Sequence, residues 1–194
     1  PIQPPPAGRG TDGDAVAAGA QQELDGQLLQ ALGTYREASL RFPDSLELLR
    51  STGRLLVALK QYEAAAPLLT RALARVSNDR ETAYYLAIAH QALGRSRAAT
   101  VNWELAQQYG TFRAASLFNL AANASSGGAL DEALGLVVRA VEAEPDGVRA
   151  GAMEVALLRA LGRSDEARRR LAHWRAIDPM NALLRVEAGR LGSG

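Results

Sequence analysis

The sequence predicts an all-α protein built from stacked pairs of antiparallel helices, and two observations support that prediction. The first is composition, because the 194 residues are rich in Ala, Leu, Arg, Glu and Gln, which lose little rotamer freedom in a helix. The second is a period of 34 residues, since an alanine recurs at that interval without any insertion. These residues are Ala31, Ala65, Ala99, Ala133 and Ala167.

Other columns keep the same register. Seven residues after each alanine lie Ala38, Ala72, Ala106, Ala140 and Trp174. Four residues after each alanine lie Tyr35, Leu69, Trp103, Val137 and Leu171. Five residues before each alanine lie Gly26, Lys60, Gly94, Gly128 and Gly162. Twelve residues after each alanine lie Pro43, Ser77, Thr111, Pro145 and Pro179.

The columns describe a helix, a turn, a second helix and a stop. Glycine breaks the chain between two helices because it adopts the left-handed conformation at low cost. The two small columns are seven residues apart, so they share a helix face and let two helices approach closely, with the bulky column filling the seam. Proline cannot continue the second helix and ends the unit.

This pattern resembles the tetratricopeptide repeat (TPR), whose unit is 34 residues long, with small residues at positions 8, 20 and 27 and proline at position 32. With position 1 at residue 12, position 8 holds Gly19, Gly53, Ala87, Ala121 and Val155. Position 7, where the family prefers leucine, holds Ala18, Thr52, Leu86, Leu120 and Glu154. Position 4, where the family carries tryptophan, holds Ala15, Leu49, Ala83, Leu117 and Gly151. The fifth repeat is the least regular. The resemblance implies a right-handed α-solenoid of stacked antiparallel helix pairs, the TPR superhelix.

The register divides the chain into a tail and one repeat domain. Residues 1–11 are Pro-rich and are predicted to be flexible, and residues 12–194 form the TPR domain. Its repeats are predicted at 12–45, 46–79, 80–113, 114–147 and 148–181, with a cap helix at 182–191. A terminal helix must cover the last apolar face of a solenoid. We expect Leu183, Leu184, Val186 and Leu191 to do so. An ordinary helical bundle is the alternative, and the fixed period disfavours it.

The composition speaks against several classes of function. A net charge of +1 supplies no general attraction for nucleic acid, and no apolar run approaches the roughly 20 residues of a membrane span. The chain has no cysteine, which leaves its compartment open. His90 is expected to be a partly buried core residue and His173 a surface residue; no metal-binding pair or catalytic constellation is visible. We therefore expect no enzyme activity, no cofactor and no metal.

The family resemblance implies a binding surface instead. TPR proteins hold an extended peptide or helix on the concave face, using positions 2, 5, 9 and 12 of the first helices. We expect these side chains at or beside those positions to contact a partner: Arg50, Arg54, Tyr84, Ile88, Gln91, Phe118, Asn119, Arg149 and Arg159. Aromatic and arginine side chains dominate binding energy at interfaces. The alternative for Tyr84 and Phe118 is that they pack only between neighbouring helices. The Lys and Asn carboxylate clamp of chaperone-tail-binding members is missing.

The sequence therefore predicts a protein–protein interaction scaffold whose concave groove binds an acidic or apolar segment of a partner protein. It predicts neither nucleic-acid binding nor membrane insertion. The alternative is a structural, positioning or self-association module of a longer bacterial protein. A bacterial source is indicated because Lys60 is the one lysine among 22 basic residues, a skew typical of GC-rich genomes.

Overall fold

The structure is a computed structural model that describes residues 10–192. Within that range the chain forms helices and no strands, which confirms the predicted all-α class. The helices are α1 (Asp12–Leu24), α2 (Leu28–Arg41), α3 (Leu46–Ala58), α4 (Tyr62–Arg75), α5 (Arg80–Ala92), α6 (Ser96–Ala106), α7 (Gly110–Ser126), α8 (Leu130–Ala143), α9 (Val148–Ala160), α10 (Ser164–Ile177) and α11 (Ala182–Gly192). Most of the predicted tail, residues 1–9, lies outside the described residues.

The helices belong to two compact units, whose described residues are 10–95 and 96–192. The N-terminal unit contains α1 to α5, and each of these helices packs against the next. Its first helices α1, α3 and α5 also pack side by side. The C-terminal unit contains α6 to α11, again packed in succession, and α9 packs against both α10 and α11. Each unit is therefore a stack of antiparallel helix pairs.

The turn column behaves as the sequence predicts. All five of its residues have positive φ: Gly26 (77°), Lys60 (59°), Gly94 (70°), Gly128 (82°) and Gly162 (75°). A side chain is strained in this left-handed region, so glycine is the residue of low cost there. Lys60 shows that the turn geometry is kept even where the sequence lacks glycine.

The small columns lie where helices touch. The five register alanines Ala31, Ala65, Ala99, Ala133 and Ala167 are all fully buried, at 0% exposure. The bulky column between the small ones is buried too, in the order Tyr35, Leu69, Trp103, Val137 and Leu171. The predicted contact face is thus the one the helices use.

The third repeat departs from the pattern at its end. The other second helices end at position 30, but α6 ends three residues earlier, at Ala106, and α7 then begins at Gly110. Thr111 stands in the proline column here, and it lies inside α7 rather than before it. Because threonine has a backbone N–H and no ring, it does not stop a helix as proline does.

The fifth repeat reverses the order of large and small side chains. Trp174 occupies position 27, where the other repeats have alanine, and Gly151 occupies position 4, where the family has tryptophan. A Cβ on Gly151 would lie 2.0 Å from Cε2 of Trp174, so the indole ring fills the space above the glycine backbone. The two departures from the family pattern therefore compensate each other.

The buried indole of Trp174 also has a buried carboxylate as its hydrogen-bond partner. Glu154, at the position where the family prefers leucine, is only 6% exposed. It accepts a hydrogen bond of 3.1 Å from Nε1 of Trp174 and bonds of 2.8 and 2.9 Å from Nε of Arg170. A buried carboxylate is costly unless it is paired and hydrogen-bonded, and here it is both.

Helix α11 covers the end of the C-terminal unit, but only part of the prediction for it is right. Leu184 and Leu191 are buried in the core of the unit. Leu183 and Val186 are 54% and 51% exposed, so they do not cover the last repeat. The reason is helical geometry, because residues 183 and 186 lie on a different side of the helix from residues 184 and 191. Within the described residues, no helix is both long enough and apolar enough to span a membrane.

Candidate functional site

In the N-terminal unit the candidate residues lie on two first helices that pack side by side. Arg50 and Arg54 are on α3, and Tyr84, Ile88 and Gln91 are on α5. Gln91 is exposed, and the other four side chains are half-buried. The candidate residues of this unit thus lie on two first helices that pack against each other.

Arg54 is held by a carboxylate from the preceding repeat. Its Nη2 donates to Oε1 of Glu23 at 2.7 Å, and the hydroxyl of Tyr35 donates to the same oxygen at 2.7 Å. Burial and the neighbouring Glu23 charge raise the pKa of Tyr35, so this hydroxyl keeps its proton and remains a donor. The cluster ties α1 and α2 of the first repeat to α3.

Arg50 is held from two sides. Its guanidinium lies 3.1 Å from Oε1 of Glu47 and 2.6 Å from Oδ2 of Asp79, which caps the start of α5. Burial opposes the charge on Asp79, but hydrogen bonds from Thr82 and the charge of Arg50 outweigh it and lower its pKa. Both candidate arginines of this unit are therefore already neutralised by carboxylates of the chain.

A cleft of about 240 Å³ opens beside these ion pairs. Its walls include Arg50, Arg54, Glu81 and Tyr85. The sequence missed Tyr85, which occupies position 6, next to the predicted Tyr84. The two rings meet edge to face with centroids 5.4 Å apart, and burial raises the pKa of both phenols. Positions 5 and 6 of α5 are thus both occupied by tyrosines, whose rings contact each other.

In the C-terminal unit the candidate residues form two small groups. The guanidinium of Arg149 lies 4.3 Å from the ring centroid of Phe118, a cation–π contact between α9 and α7. Phe118 is half-buried against the core of this unit. Asn119 does not point to a shared surface, because its amide donates to the carbonyl of Ala115 in its own helix at 2.8 Å.

The second group joins α9 to the cap helix. Nε of Arg159 donates to Oε2 of Glu187 at 2.8 Å, and Arg190 contacts Oε1 of the same carboxylate at 2.7 Å. Glu187 is only 5% exposed, and each of its two carboxylate oxygens pairs with one of these arginines. Arg159 therefore helps to hold α11 in place.

Two residues that continue the candidate row were missed by the sequence analysis. Leu183 and Val186 stand at positions 2 and 5 of the cap helix, and both are more than half exposed. The signal was available, because stepping the register once more from Arg149 and Ala152 leads to them. They were assigned to the core because an apolar residue in a cap helix is expected to face inward.

The remaining sequence candidates have structural surroundings. His90 is half-buried, and burial together with the charge of Arg95 lowers its pKa. His173 is exposed and stacks edge to face on Trp174. Within residues 10–192, no three His, Cys, Asp or Glu side chains lie close enough together to hold a metal ion.

Comparison with known proteins gives a clear result for the fold. No protein-family model and no curated protein sequence matches the chain. Solved structures do match it. A crystal structure of MamA is 19% identical, with a TM-score of 0.75 over 86% of this chain and 93% of that chain. Residues 41 to the end of MamA from Desulfovibrio magneticus RS-1 are 14% identical, with a TM-score of 0.78 over 90% and 99%.

YrrB is the third such structure. It is described as a TPR protein with an unusual peptide-binding site, and it is 18% identical, with a TM-score of 0.78 over 91% of both chains. These neighbours are helical solenoids of the TPR type. The 34-residue register, the positive-φ turns and the likeness to these structures agree. This chain has the tetratricopeptide-repeat fold.

Proposed function

We propose that this protein is a non-enzymatic scaffold that binds a peptide or helical segment of a partner protein along positions 2, 5 and 9 of its first helices. The observation that carries the proposal is that each unit has half-buried apolar side chains at these positions. Tyr84, Ile88 and Phe118 each pack on their own unit and still keep part of their surface in solvent. Interfaces are enriched in such aromatic anchors.

The polar candidates take supporting roles in this proposal. Arg50, Arg54 and Arg159 hold neighbouring first helices in register through their carboxylates, and Arg149 carries a charge that a partner can meet. Gln91 is exposed and offers an amide for hydrogen bonds to an extended backbone. Asn119 bonds within its own helix, which leaves it the weakest member of the predicted set. The peptide-binding site described for YrrB supports a function of this class on the same fold.

The test is a selection of binders from a phage-displayed library of random peptides. Selected peptides are then measured by fluorescence anisotropy against the wild type and the double variant Tyr84→Ala/Phe118→Ala. We expect the double variant to weaken binding by about 2–4 kcal/mol, the size of effect that anchor residues have. Its circular dichroism should stay close to that of the wild type.

A matched control removes exposed apolar side chains from second helices. Leu40→Ala/Val101→Ala changes the same number of side chains on α2 and α6, where both residues are largely exposed. Its affinity for the selected peptides should stay within about twofold, because substitutions outside an interface change binding little. Peptides that lose binding to the control and keep it for the double variant would contradict the proposal. A library that yields no binder, from a protein that self-associates in light scattering, would favour a self-association module.

A further inference from the structure

The cap helix has two exposed faces with different chemistry. On one face lie Leu183 and Val186, at positions 2 and 5 and just over half exposed. Single apolar residues at a surface are ordinary. These two are three residues apart on one helix, so they form a short continuous stripe. They stand in the same register as Arg149 and Ala152 of α9, the first helix that packs directly against α11.

The other exposed face of α11 is small or charged. First helices turn positions 4 and 8 toward their own second helix, as Gly53 beneath Leu69 and Gly151 beneath Trp174 show. In α11 the same positions hold Arg185 and Gly189, and both are exposed. The face on which a further second helix would pack is therefore suited to solvent. The exposed large apolar side chains of α11 are those at positions 2 and 5.

On α9, which packs against α11, position 2 holds an arginine. Arg149 is exposed and stacks on Phe118, and no carboxylate among the described residues forms an ion pair with it. Even Asp146, three residues earlier in the chain, lies beyond ion-pair distance. Glu187, the carboxylate on this part of α11, is buried and already shared by Arg159 and Arg190. Position 2 thus holds a guanidinium without a carboxylate partner on α9 and an exposed leucine on α11, and these two helices pack against each other.

We propose that α9 and α11 form a docking surface for an acidic, apolar segment of a partner protein. Leu183 and Val186 contact its apolar side chains, and Arg149 pairs with one of its carboxylates. The inference rests on the proposed function and narrows it in two ways, because it gives the partner a charge and makes the cap helix part of the site. The cleft of the N-terminal unit is a poorer match for an acidic segment, since Arg50 and Arg54 are already paired there.

The experiment uses two fluorescein-labelled peptide pools and the full chain. Each pool has peptides of about 12 residues, which span about 40 Å when extended. Positions in the first pool are drawn from Asp, Glu, Leu, Val and Phe, and in the second pool Lys and Arg replace the acids. We expect the acidic pool to bind the wild type about tenfold more tightly, a difference of about 1.4 kcal/mol. Added salt should weaken that binding, because the Arg149 contact is exposed to solvent.

Two variants and two matched controls locate the site. Leu183→Ser/Val186→Ser and Arg149→Glu should each weaken acidic-pool binding about tenfold. Val101→Ser and Arg169→Glu remove an exposed valine and reverse an exposed arginine on second helices of the same unit. Both controls should bind the pool like the wild type. Circular dichroism of all four should match the wild type, because each altered side chain is largely exposed.

The outcomes separate this inference from the proposed function. Equal or tighter binding of the basic pool overturns the inference, as does unchanged acidic-pool affinity in the Leu183→Ser/Val186→Ser variant. If library peptides still depend on Tyr84 and Phe118 in either case, the proposed function stands and only the role of the cap helix is lost. If neither pool binds and the library selects nothing, both proposals fail.

Discussion

The two units pack a large side chain over a glycine in different columns. In the N-terminal unit the large residue stands at position 24 and the glycine at position 8, as in Tyr35 over Gly19 and Leu69 over Gly53. In the fifth repeat the large residue is Trp174 at position 27, and the glycine is at position 4. A helix pair requires that a large side chain on one helix faces a small residue on the other. The positions of these two residues in the repeat can differ.

The paired carboxylates of the N-terminal unit and of the fifth repeat also link different helices. In the N-terminal unit Glu23 and Asp79 link one repeat to another through Arg54 and Arg50. In the fifth repeat Glu154 links a first helix to its own second helix through Arg170 and Trp174. The C-terminal unit also has a link between neighbouring first helices, because Arg159 of α9 pairs with Glu187 of α11.

The largest effect is expected from changing Trp174 and Gly151, whose sizes reverse the family pattern in the fifth repeat. Trp174→Ala should lower the free energy of unfolding by about 3–5 kcal/mol, the usual cost of removing a buried aromatic side chain. Gly151→Trp alone should also destabilise, since a Cβ already meets the indole ring. The double variant restores the family order. We expect it to be more stable than the sum of the single changes by at least about 1 kcal/mol, as measured by urea unfolding.

The N-terminal unit offers the matched pair. Leu69→Ala leaves a cavity against Gly53, and Gly53→Leu in the same chain should refill part of it. Coupling at both pairs would support one packing rule realised in two columns. Additive losses at Gly151 and Trp174, with coupling at Gly53 and Leu69, would mean that the fifth repeat does not exchange volumes in this way.

A smaller effect is expected at the carboxylates. Glu154→Gln should cost about 1–3 kcal/mol, because the Arg170 guanidinium and the buried Trp174 N–H lose a charged acceptor. Glu23→Gln should cost less, since Glu23 is more exposed and binds its donors through one oxygen. Urea unfolding of both variants measures the difference. A larger loss at Glu23 would show that links between repeats contribute more to stability than links within one.

The smallest effect concerns pH. Position 11 holds His90 in the third repeat and the buried Leu158 in the fifth. Burial and the charge of Arg95 lower the pKa of His90 in the folded state, so its neutral form is favoured there. Its contribution to stability is therefore present above the unfolded value of about 6.5 and is lost as the pH falls through the lower folded value.

We expect wild-type stability in urea to fall between about pH 7.5 and 5, and His90→Leu to reduce that fall. The protection factors of backbone amides in α5 should fall over the same pH range in the wild type, while those in α9 change less. An identical pH dependence in the two proteins would mean that His90 is as well solvated in the folded chain as in the unfolded one.

The fold could be predicted from the sequence because the same order of side-chain sizes recurs in several repeats. Ala31 alone is uninformative, but five alanines at one interval, each followed by the same large-to-small order, define a seam. In four of the five repeats the second helix ends at position 30, two residues before the proline column. Proline is not required for the stop, since α4 ends at the usual position with Ser77 in that column, whereas α6 ends early with Thr111 there.

The candidate site was less accessible to sequence reasoning. Register places Arg50 and Arg54 on the correct helices. It does not show that Asp79 and Glu23, from other helices, already neutralise them. It also assigned Leu183 to the core on its apolar character alone. Only tertiary packing decides which face of α11 lies against the rest of its unit.

The sequence by itself determined the period, the turns, the helix pairs and the seam that joins them, because these depend on local propensity and on side-chain size repeated at a fixed interval. The tertiary structure decided which charges remain without a partner and which apolar residues stay exposed. Both depend on neighbours that are distant in the chain, such as Glu187 for Arg159. Arg50 and Arg149 are the same residue type, so the sequence does not distinguish them. Their surroundings leave Arg50 paired with a carboxylate and Arg149 available to a partner.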